Sequence, residues 1–510
     1  MSPVPGSRLL AGLAGVAMVL SCPPINLYFL GWIGLVPLFL ALRTPKRGGF
    51  GEGFTAGFVF NAGVLYWLAF NVGTELWIAI VTMIAATFIL ATGWGIASWV
   101  FCRLRERLGE IAWAILPFGW TAWEGWLGHL GFSGELGFPW PLLALTQANF
   151  DPLLQIMEFT GVWGVTFWTA TMNVAVFHVW RGETKIARRY AFILFFVLIV
   201  IPPLAIWHAV SHYDKTAPSV KVAVIQANIP PLDKWTMGAG YSIMVYDSLT
   251  RLAVEQGVEL VVWPETAVPV NLMHQSHYRE RVARLSDETG VAIITGSSDQ
   301  VRQDGIPKPL NAAFLILPGQ GPVARYSKKQ LVPFGERVPF QSLAPSLGEL
   351  NFGQAEFMPG PRWTIFEMPL NGDTLRFPAV ICFESAFPEL VRQFVVRGAN
   401  FLVTVSNDSW YGRSSEPSQI SALSRFRSIE TRRAMARSSN SGESFISDQL
   451  GRVIAKTELY ERAWVGAIVP LCEDETLYVR YGDWLLMIAF VVYGTAIAAA
   501  AFKMFGAGNA

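Results

Sequence analysis

Cys382 directly follows the apolar residues Val380 and Ile381 and is followed by Phe383 and Glu384. Upstream, Trp263-Pro264-Glu265 supplies a carboxylate and Tyr326-Ser327-Lys328 an amine, and no histidine neighbours the cysteine in sequence. A free thiol titrates near ~8.5, so at neutral pH it needs a base before it can attack. The tetrahedral intermediate formed on a carbonyl carbon then needs a positive group or backbone amides around its oxyanion. Glutamate, lysine and cysteine together can supply these functions, and the rest of the chain decides what such a site would act on. Taken singly, each has a plainer use: a strand-end glutamate caps a helix, a loop lysine is solvated, and a buried cysteine packs.

Glu265 and Cys382 lie where strands are expected to end, and Lys328 lies in a loop. Apolar, β-branched runs at 222–226, 260–263, 291–295, 312–317, 379–382 and 401–405 predict buried strands. The stretches 241–256, 277–288, 388–397 and 418–437 predict helices between them. That alternation implies a sheet layered with helices, and strands apolar almost throughout fit sheets covered on both faces. Glu265 follows one strand, Cys382 closes another, and Ser406-Asn407-Asp408 closes a third. Strand ends are where sites assemble in layered α/β folds. Lys328 opens a loop through Leu331-Val332-Pro333-Phe334-Gly335-Glu336, whose proline and glycine mark it as a cover over the site. The loop over 331–345 is expected to move when substrate enters.

The rest of the chain is too apolar for an ordinary soluble enzyme. Of 510 residues, 52% are hydrophobic and 15% charged, and a net charge of +1 gives no pull toward nucleic acid. A spanning helix needs roughly 20 apolar residues. Such runs occur at 7–22, 25–43, 53–72, 75–101, 111–128, 160–180, 189–210 and 483–504, the fifth interrupted by Pro117 and Glu124. The sequence thus divides into a membrane bundle over 1–212, a soluble domain over 213–480, and a closing membrane helix with its tail over 481–510. Basic residues cluster in alternate loops: Arg43, Lys46 and Arg47; Arg103, Arg105 and Arg107; Arg181, Lys185, Arg188 and Arg189. The loops at 22–25, 72–75 and 129–159 have no lysine or arginine. Basic loops face the cytoplasm, which puts both termini inside and the soluble domain outside. Val19-Leu20-Ser21-Cys22 faintly resembles a lipoprotein cleavage box, but a first membrane helix ending at Pro23-Pro24 fits better. The four cysteines lack metal-ligand spacing, and a Cys382–Cys472 disulfide would consume the nucleophile.

Residues 219–470 resemble the nitrilase superfamily, and the whole chain resembles the apolipoprotein N-acyltransferase family of that superfamily. The resemblance rests on Gly137-Phe138-Pro139-Trp140, Gly161-Val162-Trp163-Gly164, Gln226-Ala227-Asn228-Ile229-Pro230 followed by Trp235, and Trp263-Pro264-Glu265-Thr266-Ala267. It rests further on 331–336, Ser406-Asn407-Asp408-Ser409-Trp410 and Arg437-Ser438-Ser439-Asn440, all in the family's order. The resemblance implies a polytopic bundle of about eight helices carrying an αββα sandwich. It implies a bacterial inner-membrane enzyme with its catalytic domain on the periplasmic side and no cofactor. Its partners would be a phospholipid acyl donor and a diacylglyceryl-modified lipoprotein acceptor. Glu265 would be general base, Lys328 the oxyanion cation and Cys382 the nucleophile. Glu336 and Glu384 would assist, or else pair with Lys328 and nearby arginines. Trp235, with Phe383 and Trp410, would line the lipid site, although an exposed tryptophan also serves as a simple interface anchor.

Three positions depart from the family pattern. Phe383 stands where tyrosine is common, and Glu416-Pro417-Ser418-Gln419-Ile420 stands where Gly-Pro-x-Gln-His is common. Glu443 takes a position that is usually apolar. Aromatic residues gather around the fifth helix (Trp120, Trp123, Trp126, Phe132, Phe138, Trp140), as suits a lipid interface. Glu124 beside them is read equally as a functional acid or a buried helix–helix contact. The competing readings are a membrane-tethered amidase that releases product to water, a paralogue with another amine acceptor, and a non-catalytic lipid-binding scaffold. A Cys–His hydrolase finds little support, because His129, His178, His208 and His212 fall in or beside the bundle.

Overall fold

The computed structural model describes residues 6–43, 46–129, 135–182, 184–213, 218–303, 305–341, 356–370 and 372–506. Phe132 and residues 342–345 of the expected cover loop lie outside the described residues. The bundle is built from α1 (Ser7–Ser21), α2 (Val36–Leu42), α3 (Phe50–Leu65), α4 (Leu76–Leu108), α5 (Ile111–Gly128), α6 (Val162–Arg181) and α7 (Lys185–Tyr213). Among the described residues, four helical segments meet both the length and the apolarity of a membrane span: Phe50–Phe70, Leu76–Leu108, Lys185–Tyr213 and Trp484–Phe502. Close approach replaces the hydrophobic effect inside a bilayer. A Cβ at Gly57 would stand 2.5 Å from Trp94 Cβ, so α3 and α4 meet where only glycine fits.

The expected helix over 25–43 is broken. A 3-10 turn, Tyr28–Trp32, precedes α2, and Asn173 of α6 occupies the break, accepting from Leu35 N (2.8 Å) and donating to Gly31 O (2.7 Å). One amide side chain thus satisfies backbone groups that an interrupted helix leaves open in lipid. The expected helix over 111–128 is continuous despite Pro117. Glu124 within it accepts from Trp120 Nε1 (3.0 Å), Leu143 N (2.8 Å) and Thr166 Oγ1 (2.6 Å), and so clamps α5, the 143–147 turn and α6 together.

The soluble domain holds two main sheets. In the first, β1 (Ser219–Gln226), β2 (Leu260–Val262), β3 (Val268–Asn271), β4 (Ala292–Gln303), β5 (Ile306–Leu317), β6 (Gly321–Ser327) and a late strand, Ala463–Pro470, run in the order late strand-β1-β2-β4-β5-β6. β3 pairs with β4 off that path. A small hairpin comes next, β7 (Phe366–Leu370) with β8 (Asp373–Phe377). The second sheet contains β9 (Ala379–Ile381), β10 (Leu402–Ser406), β11 (Met435–Ser439), β12 (Phe445–Ser447) and β13 (Val453–Lys456), adjacent in that order. The inner faces share one core, with Val222, Val224, Val262 and Ile294 against Val380, Val403 and Ala436. Helices α8 (Pro231–Val254) and α9 (Ser276–Thr289) cover the outer face of the first sheet. Beyond the second sheet lie α10 (Pro388–Val396) and α11 (Glu416–Thr431), and α12 (Trp484–Gly506) returns to the bundle.

The helix expected over 418–437 ends at Thr431, and the remainder turns into β11. Arg432, at φ 52°, makes that turn. It also ties the domain to the bundle: its guanidinium reaches Glu158 (3.1 Å) and the Gln155 side-chain oxygen (2.6 Å) with no exposure. α11 is buried almost all round although its sequence is polar, because the bundle supplies partners. Gln419 accepts from Trp67 Nε1 (3.1 Å) and Trp140 Nε1 (2.7 Å), Arg425 pairs with Asp151 (3.0 Å), and Glu430 accepts from Val162 N (2.8 Å). Removing one partner of a fully buried ion pair costs roughly 3–5 kcal/mol. Arg432→Met is therefore expected to lower the thermal unfolding midpoint of the detergent-solubilised protein clearly, whereas Arg251→Met, at an exposed ion pair, leaves it nearly unchanged.

Candidate active site

Three strand ends converge. Glu265 lies three residues past β2 and is 6% exposed; Lys328 follows β6 and is 1% exposed; Cys382 follows β9 and is partly buried. Packing puts Glu265 against β4. Gly296 N donates to Pro264 O (3.2 Å), and a Cβ at 296 would stand 2.6 Å from Glu265 Cα. Lys328 is held from both sides of its peptide: Lys328 N donates to Asn311 O (2.8 Å), and Gly360 N donates to Lys328 O (2.7 Å). Cys382 has φ 51°, a left-handed conformation that few side chains adopt, at the point where strand becomes 3-10 turn. Strain of that kind gathers where a site needs it.

The charges form one cluster. Lys328 Nζ sits 3.7 Å from Glu265 Oε1 and 2.9 Å from Glu336. Asn311 Nδ2 donates to Glu265 Oε1 (2.6 Å) and to Glu336 Oε1 (3.1 Å), and Val332 N donates to Glu336 Oε2 (2.9 Å). Burial alone would lower the Lys328 ammonium, but Glu336 and then Glu265 more than offset it, so it stays protonated. Glu265 is held above the usual carboxylate range, first by burial, against the pull of Lys328. The Cys382 thiol is pushed well above its ordinary value, by burial first and by the Glu265 charge second, with Lys328 opposing. Cys382 therefore rests as a thiol rather than a thiolate.

Glu384 plays a different part from Glu336. Its buried carboxylate accepts from Ile381 N (2.8 Å), Tyr326 Oη (2.7 Å), Lys329 N (2.7 Å) and Gln330 N (3.2 Å). One side chain thus staples the Cys382 turn to the loop that carries Lys328. Phe383 is buried among Phe138 (6.0 Å between ring centroids), Trp140 (6.4 Å) and Phe387 (5.0 Å), so the residue after the nucleophile packs on the bundle's own aromatic loop. Trp140 in turn meets Trp67 (4.9 Å), which meets Tyr411 (4.7 Å).

Trp235 and Trp410 stand apart from that cluster. Trp235 is 56% exposed on the first turns of α8, with Leu232 and Met237 exposed beside it and a kink at Gly238, φ 76°. Trp410 is partly buried, and its carbonyl accepts from Val72 N (2.9 Å), joining the 408–411 turn to the bundle. Cys382 and Cys472 are both thiols. Glu443 is accommodated by polar partners, accepting from Ser421 Oγ and pairing with Lys456 (3.2 Å). In the Ser406–Asp408 motif, Asp408 accepts from Ser406 Oγ, Ser439 Oγ (2.9 Å) and Arg437 (2.8 Å). The Asn440 motif closes on 226–230 through Asn228 N (2.7 Å) and Ile229 O (2.7 Å). Sequence reasoning does not single out Asn311; its one signal is a lone amide at the head of an apolar strand run.

Comparison with known proteins matches this arrangement from both ends. Residues 221–469 match the carbon-nitrogen hydrolase family, and residues 14–175 match the apolipoprotein N-acyltransferase N-terminal domain. An apolipoprotein N-acyltransferase of Geobacter metallireducens is 34% identical over 97% of this chain and 95% of its own. The chain belongs to the apolipoprotein N-acyltransferase family. Its similarity to the Chlorobaculum tepidum protein of the same name is equally broad, 33% identity over 97% of this chain and 96% of that one. Membership at this coverage joins the apolar helices and the two-sheet domain as parts of one enzyme type, consistent with the way α11 is built into the bundle.

A glutamine at 384 presents an NH2 group to donors that need an acceptor. An unsatisfied buried polar group costs about 1–3 kcal/mol. Glu384→Gln is expected to lower the melting midpoint and to slow alkylation of Cys382 by iodoacetamide, read by intact mass.

Proposed function

We propose that the chain moves an acyl chain from a phospholipid, through a thioester on Cys382, to the α-amine of a diacylglyceryl-cysteine lipoprotein. The observation that carries this reading is the Lys328 ammonium held between Glu265 and Glu336, in a site where Cys382 is still a thiol. Glu265 takes the thiol proton as sulfur attacks the ester carbonyl. The new oxyanion gains the Lys328 ammonium as its counter-charge. The intermediate collapses by breaking the ester C–O bond, and the lysophospholipid leaves with the proton from Glu265. In the second half the acceptor amine attacks the thioester and Glu265 takes a proton from nitrogen. The C–S bond breaks, and Glu265 returns the proton to the Cys382 sulfur. Glu336 and Asn311 orient Lys328 and Glu265 throughout, and Glu384 holds the two loops in register.

The aromatic face supports lipid as the donor. Phe138, Trp140 and Phe383 line the bundle side of the nucleophile, and Leu232, Trp235 and Met237 expose an apolar edge on α8. An amidase releasing product to water has no use for that surface. With basic loops on the cytoplasmic side, the catalytic domain faces the periplasm and both termini face the cytoplasm.

Incubating the purified protein with phospholipid and a diacylglyceryl peptide tests the reading. Mass spectrometry is expected to find one added acyl chain on the peptide amine, and none with Cys382→Ala. An unmodified peptide with active-site thioester lost to water would favour the amidase instead. Glu265 must be ionised to act, and its affinity for protons is raised. Thioester formation is therefore expected to fall on acidification at a pH above the ordinary glutamate value of about 4.3. Glu265→Gln is expected to slow it at least about 100-fold.

A further inference from the structure

Glu416, the first residue of α11, has no part in the chemistry above. It is 2% exposed, and its Oε2 is buried without a hydrogen-bond partner. Such atoms are rare in native structures and mark either a strained contact or an unfilled site. α11 packs on the Cys382–Ala386 turn and on the Asp408–Tyr411 turn. One turn further along, Gln419 holds the Trp140 indole that stacks on Phe383. Tyr411 ends the second of those turns, and the Tyr460 hydroxyl donates to Gly412 O four residues before Glu416; the Glu416 charge also bears on Cys382 and Glu265.

The cations at hand are largely engaged, with the buried Arg437 Nε the one nitrogen of that guanidinium left without a hydrogen-bond partner. Arg437 spends one nitrogen on Asp408 and another on the Glu443 carbonyl, and Lys328 lies between Glu265 and Glu336. Asp408, the nearest acid in influence, is saturated by Ser406, Ser439 and Arg437. Burial, then the Asp408 charge, push Glu416 well above the usual carboxylate range, and Arg437 does not offset them. The group is a buried acid lacking a donor, with two aromatic rings within range of its charge, which is the composition of a receptor for a small organic cation.

We propose that Glu416 is the anionic half of an ammonium-binding subsite beside Cys382. The inference rests on the acyl-transfer reading above, because that reaction brings the acceptor's ammonium group to Cys382, and an aminophospholipid donor would bring a second. One is the α-ammonium of the acceptor and the other is the headgroup of an ethanolamine phospholipid. Either supplies the N–H donors that Oε2 lacks and sets a positive charge beside the buried carboxyl group. A glycine or apolar residue at 416 would leave the same subsite neutral, so the acid sets which charged group is held.

Full-length protein and E416Q, reconstituted in vesicles, separate the two sources. Thioester on Cys382 is followed by intact mass, with phosphatidylethanolamine or phosphatidylglycerol as donor, and transfer is then followed against diacylglyceryl-peptide concentration. If the acceptor occupies the subsite, E416Q raises the half-saturating peptide concentration roughly tenfold and the loss is confined to transfer. If the headgroup occupies it, thioester formation slows roughly tenfold with phosphatidylethanolamine and not with phosphatidylglycerol. Equal kinetics for E416Q and wild type on every arm, or equal slowing with both donors, would overturn the proposal. E416D, which keeps the charge, is expected to recover part of the loss; no recovery at an unchanged melting midpoint counts against it. Wild-type protein that forms no thioester from either lipid strikes the acyl-transfer reading itself, and is distinguishable from all of these.

Discussion

The burial of α11 between a soluble sandwich and a membrane bundle is the constraint on which the rest of the structure depends. A helix bearing Gln419, Arg425, Arg427 and Glu430 has no reason to be buried on all sides by its own composition. It is buried because the bundle presents a matching partner to each polar group: two indoles for Gln419, Asp151 for Arg425, a backbone N–H for Glu430. Leu423, Phe426 and Ile429 then share one apolar cluster with Trp163, Leu153 and Met157. The Cys382 turn, which packs on α11, thereby acquires a fixed position relative to the bundle. A sandwich joined to its helices only by linkers would present the same thiol at no defined position.

The site itself is a problem in charge burial. Three carboxylates and one ammonium lie in surroundings where each alone would be costly. Sharing resolves this. Lys328 neutralises Glu265 and Glu336 together, Asn311 bridges the same two acids, and Glu384 is satisfied by four donors. The Cys382 thiol takes no share in this, and burial and Glu265 keep it protonated. A stored thiolate would be exposed to oxidation and to water-borne electrophiles. A thiol stored as such is spared both.

Much of this is legible in the sequence, for identifiable reasons. β2, β4, β9 and β10 announce themselves as apolar runs because both faces are covered, and Glu265, Cys382 and Asp408 stand out as the polar residues just beyond such runs. The segment over 25–43 reads as one continuous helix because its composition is uniformly apolar. The break is set by Asn173, over a hundred residues away, which no local pattern reveals. The helix expected over 418–437 is too long because Arg432 and Arg433 look helical, whereas Arg432 adopts a left-handed turn to reach Glu158. The separation of Glu336 from Glu384 is equally out of reach of sequence. Both are acids near the nucleophile or the lysine along the chain, and only their donors distinguish a charge partner from a staple.

Phe383 joins these arguments. Immediately after the nucleophile, it contributes no polar group and packs wholly on Phe138, Trp140 and Phe387. Two of those rings belong to the bundle's loop and one to the sandwich, so the residue is a three-way apolar joint between the bundle and the sandwich. Edge and offset ring contacts of this kind are directional as well as apolar, and they fix the turn whose first residue is the strained Cys382. Glu384 anchors the same turn from the opposite side through backbone donors. The nucleophile is thus held between an aromatic joint and an ionic staple, and its left-handed backbone persists because both constraints agree on where the turn must lie.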